Sequence, residues 1–188
     1  MSSSVFIIHG TGGHPEENWF PWLRQKVESA GHKIFIPQFP TPEGQSFETW
    51  QQVLNGYEKE INEQTIFVAH SLGCIFLLRT LEKLPHKIKA AVFVSPPIGV
   101  EPILNYKADS AFSGGFNFDW KALRTKADNF VVFHSDNDLY VDIANGKKLA
   151  KELGVELDFI PNAGHFNAKA GYTKFDELWS KLEPTLNT

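Results

Sequence analysis

Three residues of this 188-residue chain have the side chains of a nucleophile, a base and an orienting acid, and each follows a predicted strand. Ser71 stands in the pentapeptide AHSLG, between an apolar strand pattern at 65–69 and an apolar helix pattern at 74–78. A serine on so short a strand-to-helix turn predicts a nucleophile elbow, where only small residues fit beside the serine. Ala69 and Gly73 meet that requirement, although the G-x-S-x-G pattern has glycine at both positions.

The base and the acid that a serine nucleophile needs follow later in the chain. A serine hydroxyl is a weak nucleophile at neutral pH, so a base must take its proton and a third group must hold the base. Asp138 follows the strand pattern at 129–134, and His165 follows the strand pattern at 155–160. Asp136 also follows the first of these strands, and either carboxylate could reach a histidine.

The order Ser71, Asp138, His165 resembles that of the α/β-hydrolases. The short length and the motifs VFIIHG, AHSLG, DLYV and GHF are similar to those of a small serine hydrolase family, that of retinoblastoma-binding protein 9 and the YdeN-like proteins. The resemblance implies an esterase-type serine hydrolase with Ser71 as nucleophile, His165 as base and Asp138 as orienting acid. It favours Asp138 over Asp136 because Val141 follows Asp138 at the family's usual interval.

The run HGTGG, which begins at His9, predicts a loop that stabilises a developing oxyanion. It lacks the G-x-x-x-x-G-K-[ST] pattern of a phosphate loop and does not fit G-x-G-x-x-G. Glycines let the backbone approach a substrate closely. We therefore predict that the backbone N–H groups of Thr11 and Leu72 face the oxyanion, with Gly12 as an alternative to Thr11.

Substrate contacts are predicted at His9, Gly10, Trp19, Phe116 and Trp120. The aromatic residues among them suggest an apolar pocket for an acyl or aryl group, and they would equally suit a core. His9 is also expected to hold the loops of the site by hydrogen bonds. We expect short acyl esters or aminoacyl arylamides to be preferred over long lipids.

Strand patterns alternate with helical patterns along the chain. The predicted strands are 5–9, 33–37, 65–69, 89–94, 129–134 and 155–160. This alternation predicts an α/β fold: an α/β-hydrolase-like three-layer sandwich with a central, mostly parallel sheet of about six strands and helices on both faces. The reactive residues should then collect at the carboxyl ends of the strands. We expect residues 1–188 to form a single α/β-hydrolase domain.

Polar residues mark the expected starts of three helices. Asn18 and Ser46 are predicted N-caps, and Thr173 with Asp176 forms a pair that resembles a capping box.

The stretch 98–124 interrupts the alternation of strands and helices. Residues 98–118 show no clear periodicity, and the stretch contains the aromatic residues Phe112, Phe116, Phe118 and Trp120. Long irregular connections are uncommon unless they have a function. The stretch is interpreted either as a small lid that lines the substrate pocket with aromatic rings, or as a surface loop whose rings pack downwards.

The composition and the net charge indicate which partners the protein is expected to bind and where in the cell it is expected to lie. The net charge is −4 without a basic run, which argues against nucleic acid as a partner. The apolar run 5–8 is too short for a signal peptide or a membrane span. Cys74 is the only cysteine, so an internal disulfide is excluded and a reducing, cytoplasmic location is predicted. No histidine pair has metal-ligand spacing, so no metal is predicted. No cofactor is predicted either, because catalysis by a serine, a histidine and an aspartate requires none.

The function predicted from these features is a serine hydrolase that cleaves small carboxylic esters, or related acyl substrates, through an acyl-enzyme. Two alternatives stay open. The fold could serve as a protein-interaction module with little catalytic activity, since function does not follow from fold. The acyl-enzyme could also react with an alcohol or an amine instead of water, which would make the protein an acyltransferase.

Overall fold

A computed structural model describes residues 3–188, and its centre is a six-stranded sheet in which every pair of neighbouring strands is parallel. The strands are β1 Ser4–Ile8, β2 Lys33–Phe35, β3 Thr65–His70, β4 Ile88–Val94, β5 Ala127–His134 and β6 Leu157–Phe159. β1, β3 and β4 are buried along their whole length, as strands covered by helices on both faces must be. The predicted α/β-hydrolase-like fold is confirmed.

Within residues 3–188, seven α-helices cover the two faces of the sheet. They are α1 Phe20–Ser29, α2 Phe47–Asn55, α3 Leu72–Lys83, α4 Tyr106–Ser113, α5 Trp120–Leu123, α6 Ile143–Leu153 and α7 Asp176–Leu186. Val5 and Ile7 of β1 point into a core formed with α1 and α7, whereas Phe6 and Ile8 point into a core formed with helices α2 to α6. No helix within residues 3–188 has both the length and the apolar character needed to cross a lipid bilayer.

The strand order places a crevice between β1 and β3. The order across the sheet is β2-β1-β3-β4-β5-β6. The chain adds β2 on one side of β1 and then crosses back to add β3 to β6 on the other side of β1. At such a switch point the loops that leave the two strands diverge, and ligands bind beyond the carboxyl ends of the strands. Gly10 and Thr11 follow β1 here, and Ser71 follows β3.

The predicted helix starts are confirmed at one position and wrong at two. Ser46 accepts a hydrogen bond from the amide of Thr49, and the Thr49 hydroxyl accepts one from the amide of Ser46, so the pair forms a capping box at α2. Asn18 does not cap α1, because its Oδ1 atom instead accepts a hydrogen bond from the amide of Ala168.

The Thr173–Asp176 pair does not cap α7. The N-cap residue is Phe175, which makes no side-chain cap hydrogen bond. Phe175 is fully buried and its ring lies 5.0 Å from that of Phe133, so packing rather than capping fixes the start of this helix.

The stretch 98–124 contains the helices α4 and α5, which its sequence did not indicate. The buried residues of α4 are Asp109, Phe112 and Ser113, so two of its three inward positions are polar and the apolar periodicity is lost. The stretch is joined to the loop after β5 by a bridge between Ile103 and Val141.

Candidate active site

Ser71 lies on a sharp, strained turn between β3 and α3. Its φ and ψ angles are 54° and −126°, a conformation that residues other than glycine rarely adopt. The turn is held by a hydrogen bond from the Ser71 amide to the carbonyl of Val94. A Cβ atom at Gly73 would lie 2.5 Å from the carbonyl oxygen of Ile8, so only glycine lets α3 approach β1 this closely.

The loop after β1 packs directly against Ser71. A Cβ atom on Gly10 would lie 2.8 Å from Cβ of Ser71 and 3.2 Å from its Oγ. The amide of Gly12 donates to the hydroxyl of Thr41 at 2.7 Å. The amide of Thr11 has no acceptor among residues 3–188, so of these two amides it is the one that remains available to a ligand.

His165 and Asp138 are in direct contact. Nδ1 of His165 lies 2.8 Å from Oδ2 of Asp138, whose side chain is fully buried. Oδ1 of Asp138 accepts hydrogen bonds from the amides of Tyr140 at 2.9 Å and Val141 at 3.2 Å. The carboxylate is therefore held at both oxygens.

The pKa of Asp138 lies below its ordinary value. Burial acts to raise this pKa, but the hydrogen bond and the positive charge of His165 oppose it, as do the amide of Tyr140 and the hydroxyl of Ser95. These groups together outweigh burial, so Asp138 is an anion at neutral pH.

The other candidate acid has a different role. Asp136 is exposed, and its Oδ1 atom accepts a hydrogen bond from the amide of Asn162 at 2.8 Å. It makes no hydrogen bond or ion pair with His165. Asp136 thus ties together the two loops that follow β5 and β6.

His70 contacts both the backbone and the ring of His165. Its Nε2 atom donates to the carbonyl oxygen of His165 at 2.8 Å, and the two rings lie 4.7 Å apart. Burial and, to a smaller extent, the nearby His165 lower the pKa of His70 to about 3, while the hydrogen bond to the His165 carbonyl acts in the opposite direction. His70 is therefore a neutral residue that fixes the backbone of the His165 loop.

Ser71 and His165 line one cavity of about 600 Å³, which we call the Ser71 cavity. Gly10, Thr11 and Leu72 line it as well. The Ser71 hydroxyl has no hydrogen-bond partner among residues 3–188. Hydrogen bonds between a nucleophile and its base are often long without substrate and shorten when substrate binds.

Four of the predicted substrate-contact residues do not line the Ser71 cavity within the described part of the chain. Trp19 is fully buried, and its indole N–H donates to the carbonyl of Phe166. His9 is also buried, with Nε2 accepting from the amide of Phe39 and Nδ1 donating to the carbonyl of Gly10. The two residues hold the loops of the site from within the core.

The aromatic residues of 98–124 pack away from the Ser71 cavity. Phe116 lies against Tyr106, and Trp120 lies against Phe118, whose ring is covered by the guanidinium of Arg79 at 4.3 Å. The same stretch nevertheless reaches the cavity through other side chains, namely Ile103, Leu104, Asn105 and Asp109. The sequence analysis missed these residues because none of them belongs to a recognisable motif.

No group of three or more His, Cys, Asp or Glu side chains within residues 3–188 is arranged to hold a metal ion. The histidines near Ser71 instead make hydrogen bonds with backbone atoms or with Asp138.

A parallel sheet with a serine on a sharp turn after β3, and with acid and histidine loops after β5 and β6, defines an α/β-hydrolase. The serine hydrolase family model matches residues 5–184, and the chain belongs to this family. It is a hydrolase, and the predicted resemblance is confirmed.

Similar proteins cover nearly the whole chain. YdeN of Bacillus subtilis (strain 168) is 30% identical over 184 residues, which are 97% of this chain and 95% of YdeN. The serine hydrolase RBBP9 of Rattus norvegicus is 25% identical over 187 residues, 98% of each chain. The crystal structure of the B. subtilis ydeN gene product superimposes with a TM-score of 0.91 at 28% identity over 100% of both chains.

More distant structures share the fold. Est1E of Butyrivibrio proteoclasticus, solved with ferulic acid bound, has a TM-score of 0.69 at 14% identity and covers 96% of this chain and 90% of its own.

Proposed function

We propose that this hydrolase cleaves small carboxylic esters through an acyl-enzyme formed on Ser71. The observation that carries the proposal is the 2.8 Å contact between His165 and Asp138, in a loop that shares one cavity with the strained Ser71. A histidine held by a buried carboxylate next to a serine is the arrangement that activates a hydroxyl for attack on a carbonyl.

In the proposed mechanism, His165 takes the proton of Ser71 as its oxygen attacks the ester carbonyl. Asp138 keeps the proton of the free imidazole on Nδ1 and stabilises the imidazolium that forms. His165 then protonates the leaving alcohol, and a water molecule, deprotonated by the same imidazole, releases the acid from Ser71.

The amides of Thr11 and Leu72 are proposed to stabilise the oxyanion. Leu72 is the first residue of α3, where amide groups have no partner within the helix and the helix dipole favours negative charge. Within residues 3–188 the Thr11 amide has no hydrogen-bond acceptor, whereas the Gly12 amide already donates to Thr41. This difference supports Thr11 rather than Gly12 as the second oxyanion donor. One such donor contributes on the order of 3 kcal/mol in other serine hydrolases.

The proposed substrate is a small molecule. The Ser71 cavity is about 600 Å³, and its rim includes the exposed Leu104, a surface suited to a short acyl or aryl group. The cytoplasmic location stays a prediction from the sequence, based on the single cysteine.

The test is labelling with a fluorophosphonate probe, followed by intact mass and peptide mapping, with p-nitrophenyl acetate turnover measured in parallel. The wild type should take up one probe at Ser71, and Ser71→Ala should lose both labelling and turnover. Ser180→Ala, which removes an exposed serine of α7, is the matched control and should retain both. A folded wild type that takes up no probe would overturn the proposal and favour the interaction module.

Acyl transfer is tested with the same protein. Added alcohol or amine should leave hydrolysis as the main outcome, because any carbonyl on Ser71 faces a cavity open to water. A product that carries the added nucleophile in excess over the free acid would instead establish an acyltransferase.

A further inference from the structure

Asp109 is a buried carboxylate in the Ser71 cavity that the mechanism does not use. It lies on the inner face of α4, is 5% exposed, and lines the same cavity as Ser71 and His165. Among residues 3–188 its side chain makes no hydrogen bond and no ion pair. Its neighbours on the inner face of α4 are Phe112 and Ser113.

An unpaired carboxylate at such a position is costly for the folded protein. Transfer of a charge out of water is unfavourable unless a partner of opposite charge compensates for it. A carboxylate in the first turn of a helix gains from the helix dipole, but a solvated position in that turn would give the same gain without the cost of burial. The placement of Asp109 therefore suggests a partner that arrives from the cavity.

Within residues 3–188, no charged side chain of the Ser71 cavity lining forms an ion pair with Asp109, and His165 acts on it only through its charge. The cation among these side chains is Lys169, which is exposed, and Glu16 is already paired with Arg24 at 2.9 Å. Glu17, a second carboxylate of the lining, has a pKa raised by burial. The cavity thus presents more negative than positive charge to a ligand.

Asp109 is able to carry that charge at neutral pH. Burial raises its pKa to about 6, and the charge of His165 acts in the opposite direction. A cation bound beside it would favour the ionised form further.

We infer that Asp109 selects substrates that carry a cationic nitrogen, by forming an ion pair with that group while the ester carbonyl lies at Ser71. The inference rests on the proposed esterase function and adds a substrate class to it. An ion pair with a buried carboxylate is stronger than the same pair in bulk water, because the effective dielectric constant beside a buried group is lower. Neutral esters should bind without using Asp109.

The test compares pairs of substrates that differ only in charge. In the first pair, acetylthiocholine carries the charge on its leaving group, and S-(3,3-dimethylbutyl) thioacetate is its neutral analogue. In the second pair, the p-nitrophenyl ester of 4-(trimethylammonio)butyrate carries the charge on its acyl group, and the p-nitrophenyl ester of 5,5-dimethylhexanoate is its neutral analogue. Permanent charges remove any dependence on the protonation of the substrate.

The measured quantity is the ratio of kcat/KM for the charged and neutral member of each pair. In at least one pair, this ratio should be about tenfold or more lower in Asp109→Asn than in the wild type. The neutral members are the internal reference, so any effect of Asp109→Asn on ester cleavage in general cancels in the ratio. Glu183→Gln, which removes an exposed carboxylate of α7, is the control for net charge and should leave both ratios unchanged.

Unchanged ratios in Asp109→Asn, with neutral esters still cleaved, would overturn the inference but not the esterase function. The effect appearing in Glu17→Gln instead would also overturn it, because Glu17 would then be the recognition residue. If Asp109→Asn fails to fold, Asp109→Leu replaces it, since an apolar side chain suits a buried position.

A binding measurement separates this inference from the proposed function. Choline and its neutral analogue 3,3-dimethylbutanol are compared by the shift of the thermal unfolding midpoint. Choline should raise the midpoint of the wild type but not that of Asp109→Asn, whether or not any ester is cleaved. Equal shifts in the two proteins, or no shift in the wild type at saturating choline, would overturn the inference even if Ser71 is labelled and active.

Discussion

Both carboxylate oxygens of Asp138 are held in place, one by Nδ1 of His165 at 2.8 Å and the other by the amides of Tyr140 and Val141. Because an ionised carboxylate only accepts hydrogen bonds, this contact assigns the imidazole proton to Nδ1. Nε2 of His165 is then the free basic nitrogen. The loop after β5 therefore fixes the tautomer of a residue in the loop after β6.

Asp138→Asn should remove activity without unfolding the protein. Asparagine has nearly the same shape, but its amide can present a donor to Nδ1 and so favour the wrong tautomer of His165. We expect kcat for p-nitrophenyl acetate to fall about a thousandfold or more. Steady-state kinetics measures the effect, with far-ultraviolet circular dichroism to verify folding.

Asp136→Asn is the matched control for this change. Its side chain bonds the amide of Asn162 and does not contact His165, so kcat should fall by less than about threefold. Equal losses in the two variants would show that the assignment of the acid to Asp138 is wrong.

The positions of Ser71, Asp138 and His165 could be predicted because each follows a strand of strong apolar pattern. In a parallel sheet such strands end at one edge, so sequence order alone brings the three loops together. The edge strands β2 and β6 are shorter than predicted, since each pairs with one neighbour only. Local pattern therefore predicted the central strands better than the edges.

The lining of the Ser71 cavity could not be predicted in the same way. Trp19 and Phe116 have side chains suited to either a pocket or a core, and only tertiary packing decides between them. Asp109 gave no signal, because a carboxylate in a stretch without periodicity is indistinguishable from a surface residue. Its burial depends on where α4 packs, which is a property of the whole fold.

The neutral His70 should make the protein less stable as the pH falls. Its folded pKa of about 3 lies below the unfolded value of about 6.5, so the unfolded chain binds a proton first. Its contribution is constant above about pH 6.5 and is lost between about pH 6.5 and pH 3, by at most about 1.4 kcal/mol per pH unit. His70→Gln, which retains a donor for the His165 carbonyl, should weaken this dependence.

The measurement is the free energy of unfolding in urea at pH 7.5 and pH 4.5 for both proteins. The wild type should lose roughly 2–3 kcal/mol more than His70→Gln between these pH values. His9 and His134, whose pKa values are also lowered by burial, act in the same direction in both proteins and cancel in the difference. Equal losses of unfolding free energy in the two proteins would show that the folded protein does not lower the pKa of His70.

The strained backbone of Ser71 should cost stability that glycine recovers. A non-glycine residue at φ 54° and ψ −126° costs about 1–3 kcal/mol, whereas glycine adopts this conformation readily. Ser71→Ala keeps the Cβ atom and the strain, so it is the matched reference for the lost hydroxyl. Both variants should be inactive. The free energy of unfolding, measured in urea, should be about 1 kcal/mol higher for Ser71→Gly than for Ser71→Ala, once the greater entropy of glycine in the unfolded chain has been subtracted. A glycine variant no more stable than the alanine variant would mean that the turn stores no strain at Ser71.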